Sequence, residues 1–190
     1  MAVSSSKEVN QTSHIQMAQS VFSLPSEILV SAIASQFPCR HEIIRTLITL
    51  LSVQANKNIV LYGLNATGKS VITKRVLERL SISQGSTETN LFQYDIIKTA
   101  ECITTRHLME KTVNTVADTL GYRANNRCES TSQLVNELEK MLHWSRSQNP
   151  EAAASRHVLV FDGIDQQSVH TPMLPALAKL GELVCICTSH

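Results

Sequence analysis

A chain of 190 residues that is 43% hydrophobic and 17% charged has length for one globular domain with a tail, and is too apolar to be disordered throughout. Its 17 Lys and Arg against 16 Asp and Glu leave a net charge of +1, which excludes a whole-molecule field as the means of drawing in nucleic acid or an anionic membrane. Five scattered cysteines, an odd number, exclude a disulfide framework and point to reduced thiols, and no run reaches the ~20 apolar residues of a membrane span.

Residues 1–22 are rich in Ser, Gln and Asn and hold too few large apolar side chains to offset chain entropy. They are expected to form a disordered tail before a folded core over 23–190. The opening MAVSSSKEVNQTSHIQMAQ lacks the basic-then-apolar layout of a signal peptide, so a protein neither secreted nor membrane-spanning is expected. Further on, Ile43, Ile44, Leu47, Leu50 and Leu51 fall on one helical stripe. NIVLYG (58–63) has the short apolar run of a buried parallel strand. A helix should follow from Gly68 to about Leu80, with Ile72, Val76 and Leu80 in a four-residue rhythm.

LFQYDIIK (91–98) is the next strand. The helix after it repeats apolar residues at Met109, Val113, Val116 and Leu120, with Gly121 as its cap. Ser130 and Gln133 make a capping-box pattern ahead of a helix whose apolar face is Leu134, Leu138, Met141 and Leu142. A polar loop is expected over 145–156, a strand over 157–162, a short helix over 173–180 and a strand over 183–189. Cys185 and Cys187, two apart on that last strand, read as buried thiols and not as metal ligands. Strands alternating with helices predict an α/β fold, a largely parallel sheet joined by right-handed crossovers and covered by helices on both faces. The chain stops directly after a core strand, so the expectation is the front part of a longer protein.

The motif with the most chemistry is GLNATGKS, which fits G-x-x-x-x-G-K-[ST] between a strand and a helix. Gly63 and Gly68 permit torsions that a side chain opposes. The intervening Leu64, Asn65, Ala66 and Thr67 then turn backbone N–H groups inward as a nest for phosphate oxygens. Lys69 brings a mobile positive charge and Ser70 a hydroxyl ligand for Mg²⁺, so a nucleotide such as ATP with Mg²⁺ is the expected occupant.

In VLVFDGID (158–165) an apolar strand runs into Asp162, placed to hold the metal from a neighbouring strand; opening a turn with Gly163 is the blander alternative, compatible with that role, and the metal role is favoured. Hydrolysis needs a further group to activate water, and Gly163 has no side chain to offer. Asp165 is either a displaced base or a solvated loop carboxylate. No residue is assigned as catalytic, and binding without efficient turnover is the sharper expectation. Two other classes stay open: an active P-loop enzyme such as a kinase, and a regulatory switch NTPase. Lys179 is the one firmly charged base after Asp162, which disfavours a kinase.

FPCRHEIIRTLITLL (37–51) and ECITTRHLMEKTVNTV (101–116), taken in order with the cradle, resemble the AAA+ module of origin recognition complex subunits, with the subunit 5 branch closest. The similarity runs from about Leu24 to His190. It implies a AAA+ P-loop core, with Pro38, Cys39 and Arg40 beside the adenine, and Ser189 as the polar sensor at the end of the fourth core strand, Thr188 being the second choice. From the residues alone, a strand-end serine meeting solvent explains Ser189 equally well. The resemblance further implies ATP held for assembly, with the other complex subunits and origin DNA as partners, in the nucleus and without a membrane. The family's helical lid and winged-helix domain are not in this sequence.

Overall fold

The computed structural model describes residues 27–52, 58–83, 92–124, 127–148, 156–166, 172–180 and 183–189. They belong to two compact units that divide between Gln54 and Ala55. The expected tail over 1–22 lies outside the described residues.

The first unit is a pair of packed helices, α1 (Glu27–Ala34) and α2 (His41–Ser52). On α2 the buried residues are Ile44, Leu47, Ile48 and Leu51, an i, i+3, i+4, i+7 set that lines one face at 3.6 residues per turn. Ile43 is exposed and Leu50 only half-buried, so the buried stripe is turned from the expected one and takes in Ile48. Val30 and Ile33 of α1 are wholly buried, and Arg45 of α2 reaches Glu27 at 3.0 Å.

Among the described residues the second unit holds four strands: β1 (Asn58–Leu61), β2 (Phe92–Lys98), β3 (Arg156–Asp162) and β4 (Leu183–Thr188), in the order β1-β4-β3-β2 with every pair parallel. The α/β sheet expected from the sequence is the one found. β3 and β4 occupy its centre, and their uninterrupted apolar runs are buried along their described length, as a strand covered on both faces requires. Complete burial of Leu159 and Phe161 stabilises the fold by roughly 1.5–3 kcal/mol per side chain. β1 departs from the expected buried strand. It lies at the edge of the described sheet, where Ile59 points inward while Val60 and Tyr62 are exposed.

The described helices that accompany the sheet are α3 (Lys69–Ser83), α4 (Thr105–Leu120), α5 (Thr131–Gln148) and the single turn α6 (Leu174–Leu177). Neighbouring residues of β2 face opposite helices, Tyr94 toward Glu78 of α3 and Asp95 toward Thr119 of α4. Thr104 caps α4 by accepting from the His107 N–H at 3.1 Å, and Gly121 closes it at φ 70. Ser130 accepts from the Gln133 N–H, while the Gln133 side chain accepts from Glu129, one residue earlier than a capping box prescribes. α5 continues through Ser145–Gln148, the first part of the expected loop, because no breaker intervenes before Pro150. The rest of that loop lies outside the described residues. α6 is shorter than expected, since Lys179 and Leu180 close back through i to i+3 bonds.

One polar cluster interrupts the core. Asp95 of β2 accepts from Thr119 Oγ1 at 2.5 Å and lies 2.8 Å from Nε2 of His157 on β3. Both ionisable residues are buried, and among the described residues His157 Nδ1 has no partner.

Candidate functional site

The cradle begins where β1 ends. Gly63 at φ 147, Ala66 at φ 59 and Gly68 at φ 87 put three left-handed residues into one short loop. That alternation turns successive backbone N–H groups to one side, the geometry of an anion nest, and α3 starts directly behind it at Lys69. At Gly68 the requirement is torsional and not one of space, since an added Cβ meets nothing closer than Ile72 Cδ1 at 3.7 Å. Lys69 Nζ is folded over the loop and donates to the carbonyls of Gly63 and Leu64, each at 2.8 Å, with Thr67 Oγ1 at 3.4 Å.

Asp162 meets this loop from β3. Ser70 Oγ donates to Asp162 Oδ1 at 2.5 Å, tying the first turn of α3 to the end of the strand. The same oxygen accepts from Thr188 Oγ1 of β4 at 2.6 Å. Thr188 in turn accepts from the Gly163 N–H at 2.9 Å. From the other side Thr99, one residue past β2, donates to the carbonyls of Asp162 at 2.8 Å and Gly163 at 2.6 Å. Thr99 and Thr188 are both wholly buried. Parallel register explains the convergence: Lys98 pairs with Asp162 and Phe161 with Cys187, so the next residue of each flanking strand stands beside the turn.

Gly163 takes a left-handed φ of 75 as the chain leaves β3, with its N–H donating to Thr188 of β4 and its carbonyl accepting from Thr99. Asp165 follows in the 3-10 turn Ile164–Gln166 and is exposed, so it leaves from a turn and not from the strand end. Ser189 is half-buried and its backbone N–H donates to Leu61 O at 2.9 Å, linking the ends of β4 and β1. Between the two proposed sensor positions, Thr188 is the one bonded to Asp162. Pro38, Cys39 and Arg40 form the turn between α1 and α2 in the other compact unit. There Arg40 N–H donates to Phe37 O at 3.2 Å and Cys39 is exposed at φ 61. Thr99 is the member of the site that sequence reading missed, because a threonine just after a strand carries no periodic or motif signal.

The donor set suits a small hard cation. Ser70 sends its proton to Asp162, which leaves the hydroxyl lone pairs for a metal, and both bonds to the carboxylate end on Oδ1, with Oδ2 outside them. One hydroxyl and one carboxylate, with phosphate oxygens and water completing the shell, match the coordination habit of Mg²⁺. Among the described residues no group of three or more His, Cys, Asp or Glu makes a separate metal cage. The β4 thiols take no part: burial pushes Cys185 up to about 12 and Cys187 up to about 11, so both stay protonated and apolar in character. No helix of the described residues is long and apolar enough to cross a membrane.

Residues 36–187 match the model of the AAA ATPase domain. The Aeropyrum pernix ORC1 protein in complex with DNA is similar in structure, with a TM-score of 0.61 and 20% identity over 80% of this chain and 39% of that one. Drosophila ORC bound to DNA gives a TM-score of 0.57 and 21% identity over 80% and 38% of the two chains. For the Aeropyrum pernix ORC2 protein in its ADPNP–ADP complexes the values are 0.58 and 12%, over 80% and 41%. At these identities the likeness is one of fold, and the chain spans about two-fifths of the length of each of these structures. No curated protein matches it.

Proposed function

We propose that this chain, which belongs to the AAA ATPase domain family, holds ATP as a subunit of an origin recognition complex, most similar to subunit 5, and that the nucleotide supports assembly of that complex for replication initiation. One observation carries the reading. The cradle and Asp162 are joined through Ser70 at 2.5 Å into a set fit for a magnesium nucleotide, yet the residue after Asp162 is a left-handed glycine. Water activation requires a side chain aimed at the reacting phosphate, and Asp165 is exposed and departs from a 3-10 turn. These features support holding without efficient turnover.

In this reading Lys69 exchanges its bonds to the Gly63 and Leu64 carbonyls for charge-assisted bonds to the β- and γ-phosphates. Ser70 and Asp162 hold Mg²⁺, which neutralises phosphate charge. Pro38–Arg40 lies by the adenine, and Ser189 sits at the γ-phosphate end. The partners are the other subunits of the complex and origin DNA, in the nucleus and without a membrane. The nucleotide complexes of one structural neighbour and the DNA bound to two others support this choice.

The test measures ATP binding and turnover on the purified complex that contains the full-length chain. Stoichiometric binding at this site with no turnover assignable to it is expected, and Lys69→Ala should weaken binding and assembly together. Turnover that is abolished by Asp165→Asn and untouched by changes in the other subunits would overturn the holding role. Assembly that persists unchanged in Lys69→Ala with the site empty would overturn the role of ATP in assembly.

A further inference from the structure

From the bonds around Asp162 we infer that Thr188, with Thr99 opposite it, is a positioning residue for the metal-side carboxylate and does not read the γ-phosphate. The inference rests on the nucleotide reading above and assigns a task to two hydroxyls inside it. A threonine hydroxyl has one proton. In Thr188 that proton goes to Asp162 Oδ1 at 2.6 Å, and the Gly163 N–H arriving at 2.9 Å occupies a lone pair and fixes the hydroxyl in that orientation. No proton is left to donate to a phosphate oxygen, which can only accept.

Thr99 completes the arrangement from β2. Its single proton is shared between the carbonyls of Asp162 and Gly163, at 2.8 and 2.6 Å, so the peptide that follows the carboxylate is tied on both sides. Thr188 therefore sets the carboxylate and Thr99 sets the backbone that carries it. Complete burial of both side chains keeps water from competing for these bonds. Outer partners of this kind typically change metal affinity by roughly 10–100-fold when removed.

The experiment uses the full-length chain in its complex and compares affinities for ATP with Mg²⁺, ADP with Mg²⁺, and ATP in EDTA, together with Tm. Thr188→Val, near-isosteric and without the hydroxyl, should weaken both magnesium nucleotides by the same factor, on the order of tenfold or more. Affinity in EDTA should stay within about twofold of the parent, since the cradle is untouched. Thr188→Ser, which keeps the hydroxyl, should restore the parent values. Thr99→Val should act in the same direction and tests the clamp independently if Thr188→Val does not fold.

A loss confined to ATP, with ADP spared, would make Thr188 a γ-phosphate reader and overturn the inference. An equal loss with and without Mg²⁺ would reduce both threonines to a structural role and also overturn it, as would no loss at all. If the parent chain binds no nucleotide, or binds it without regard to Mg²⁺, the functional reading fails instead, and that result appears before any substitution is made.

Discussion

Removing one partner of the buried Asp95–His157 pair should destabilise the fold far more than removing both. Asp95 is 7% and His157 3% exposed. A carboxylate can only accept, so the 2.8 Å bond to Asp95 takes its proton from Nε2 of His157, while Nδ1 has no partner among the described residues. Asp95→Leu deletes the bonds from both His157 and Thr119 and strands an imidazole with neither nitrogen satisfied. Breaking one side of a buried pair costs about 3–5 kcal/mol. In a chain of this length each kcal/mol moves Tm by roughly 2–4 °C, so a fall of about 6–20 °C is expected. His157→Leu should cost a similar amount, because it leaves the buried Asp95 carboxylate with the Thr119 hydroxyl in place of two donors. The double change Asp95→Leu, His157→Leu should lie within about 1–2 kcal/mol of the parent, as paired apolar replacements often do. Urea midpoints at a common m-value give the three numbers, and the cycle gives their coupling. Single costs below about 1 kcal/mol, or a double that equals the sum of the singles, would refute the assignment of this pair as a mutually dependent buried unit.

Gly163→Glu should lower stability by about 1–2 kcal/mol, because φ 75 is left-handed, and should produce no ATP turnover; a thermal scan and a phosphate-release assay check the two halves. Leu138→Ala, at a wholly buried position on α5, should lower the unfolding free energy by about 2–5 kcal/mol in urea titration. Alkylation of the native chain at pH 8 should reach Cys39 quickly and spare Cys102, Cys128, Cys185 and Cys187, with all five reacting in denaturant. The β4 thiols also set an alkaline limit. Burial raises Cys185 from 9.0 to about 12 and Cys187 from 9.0 to about 11, so their stabilisation is full below about pH 9 and lost as pH rises through 11–12. Unfolding free energy measured across pH 8–11 should therefore fall, and should fall less in a Cys185→Ala, Cys187→Ala double variant compared with itself at pH 8.

Much of this architecture was readable because the signals were periodic or were made of whole motifs. The GKS cradle, the strand–helix alternation and the apolar face Leu134, Leu138, Met141, Leu142 each repeat a pattern that only one geometry satisfies, and each was found. What sequence could not supply were contacts between residues brought together by register. Asp95 and His157 are distant in sequence, and nothing in either strand names the other as its partner. Thr99 became visible only once Lys98 stood opposite Asp162. The α2 stripe failed in a smaller way: Ile43 and Leu50 fit a helical repeat as well as Ile48 does, and the choice is made by packing with α1.

Gly163 is where sequence and structure give different kinds of answer. As a letter it reads as a missing carboxylate, a side chain that a single substitution would restore. In the fold it is a change of backbone path: β3 ends at Asp162, and the left-handed turn aims the Gly163 N–H at Thr188 and its carbonyl at Thr99. A carboxylate leaving the strand end toward a bound phosphate requires extended backbone at that position. Adopting it would move the Gly163 carbonyl away from Thr99 and loosen the turn behind the carboxylate. The reading proposed above, a magnesium nucleotide held without efficient turnover, therefore rests on the path of this turn and not on the missing carboxylate alone, and the Gly163→Glu assay tests it.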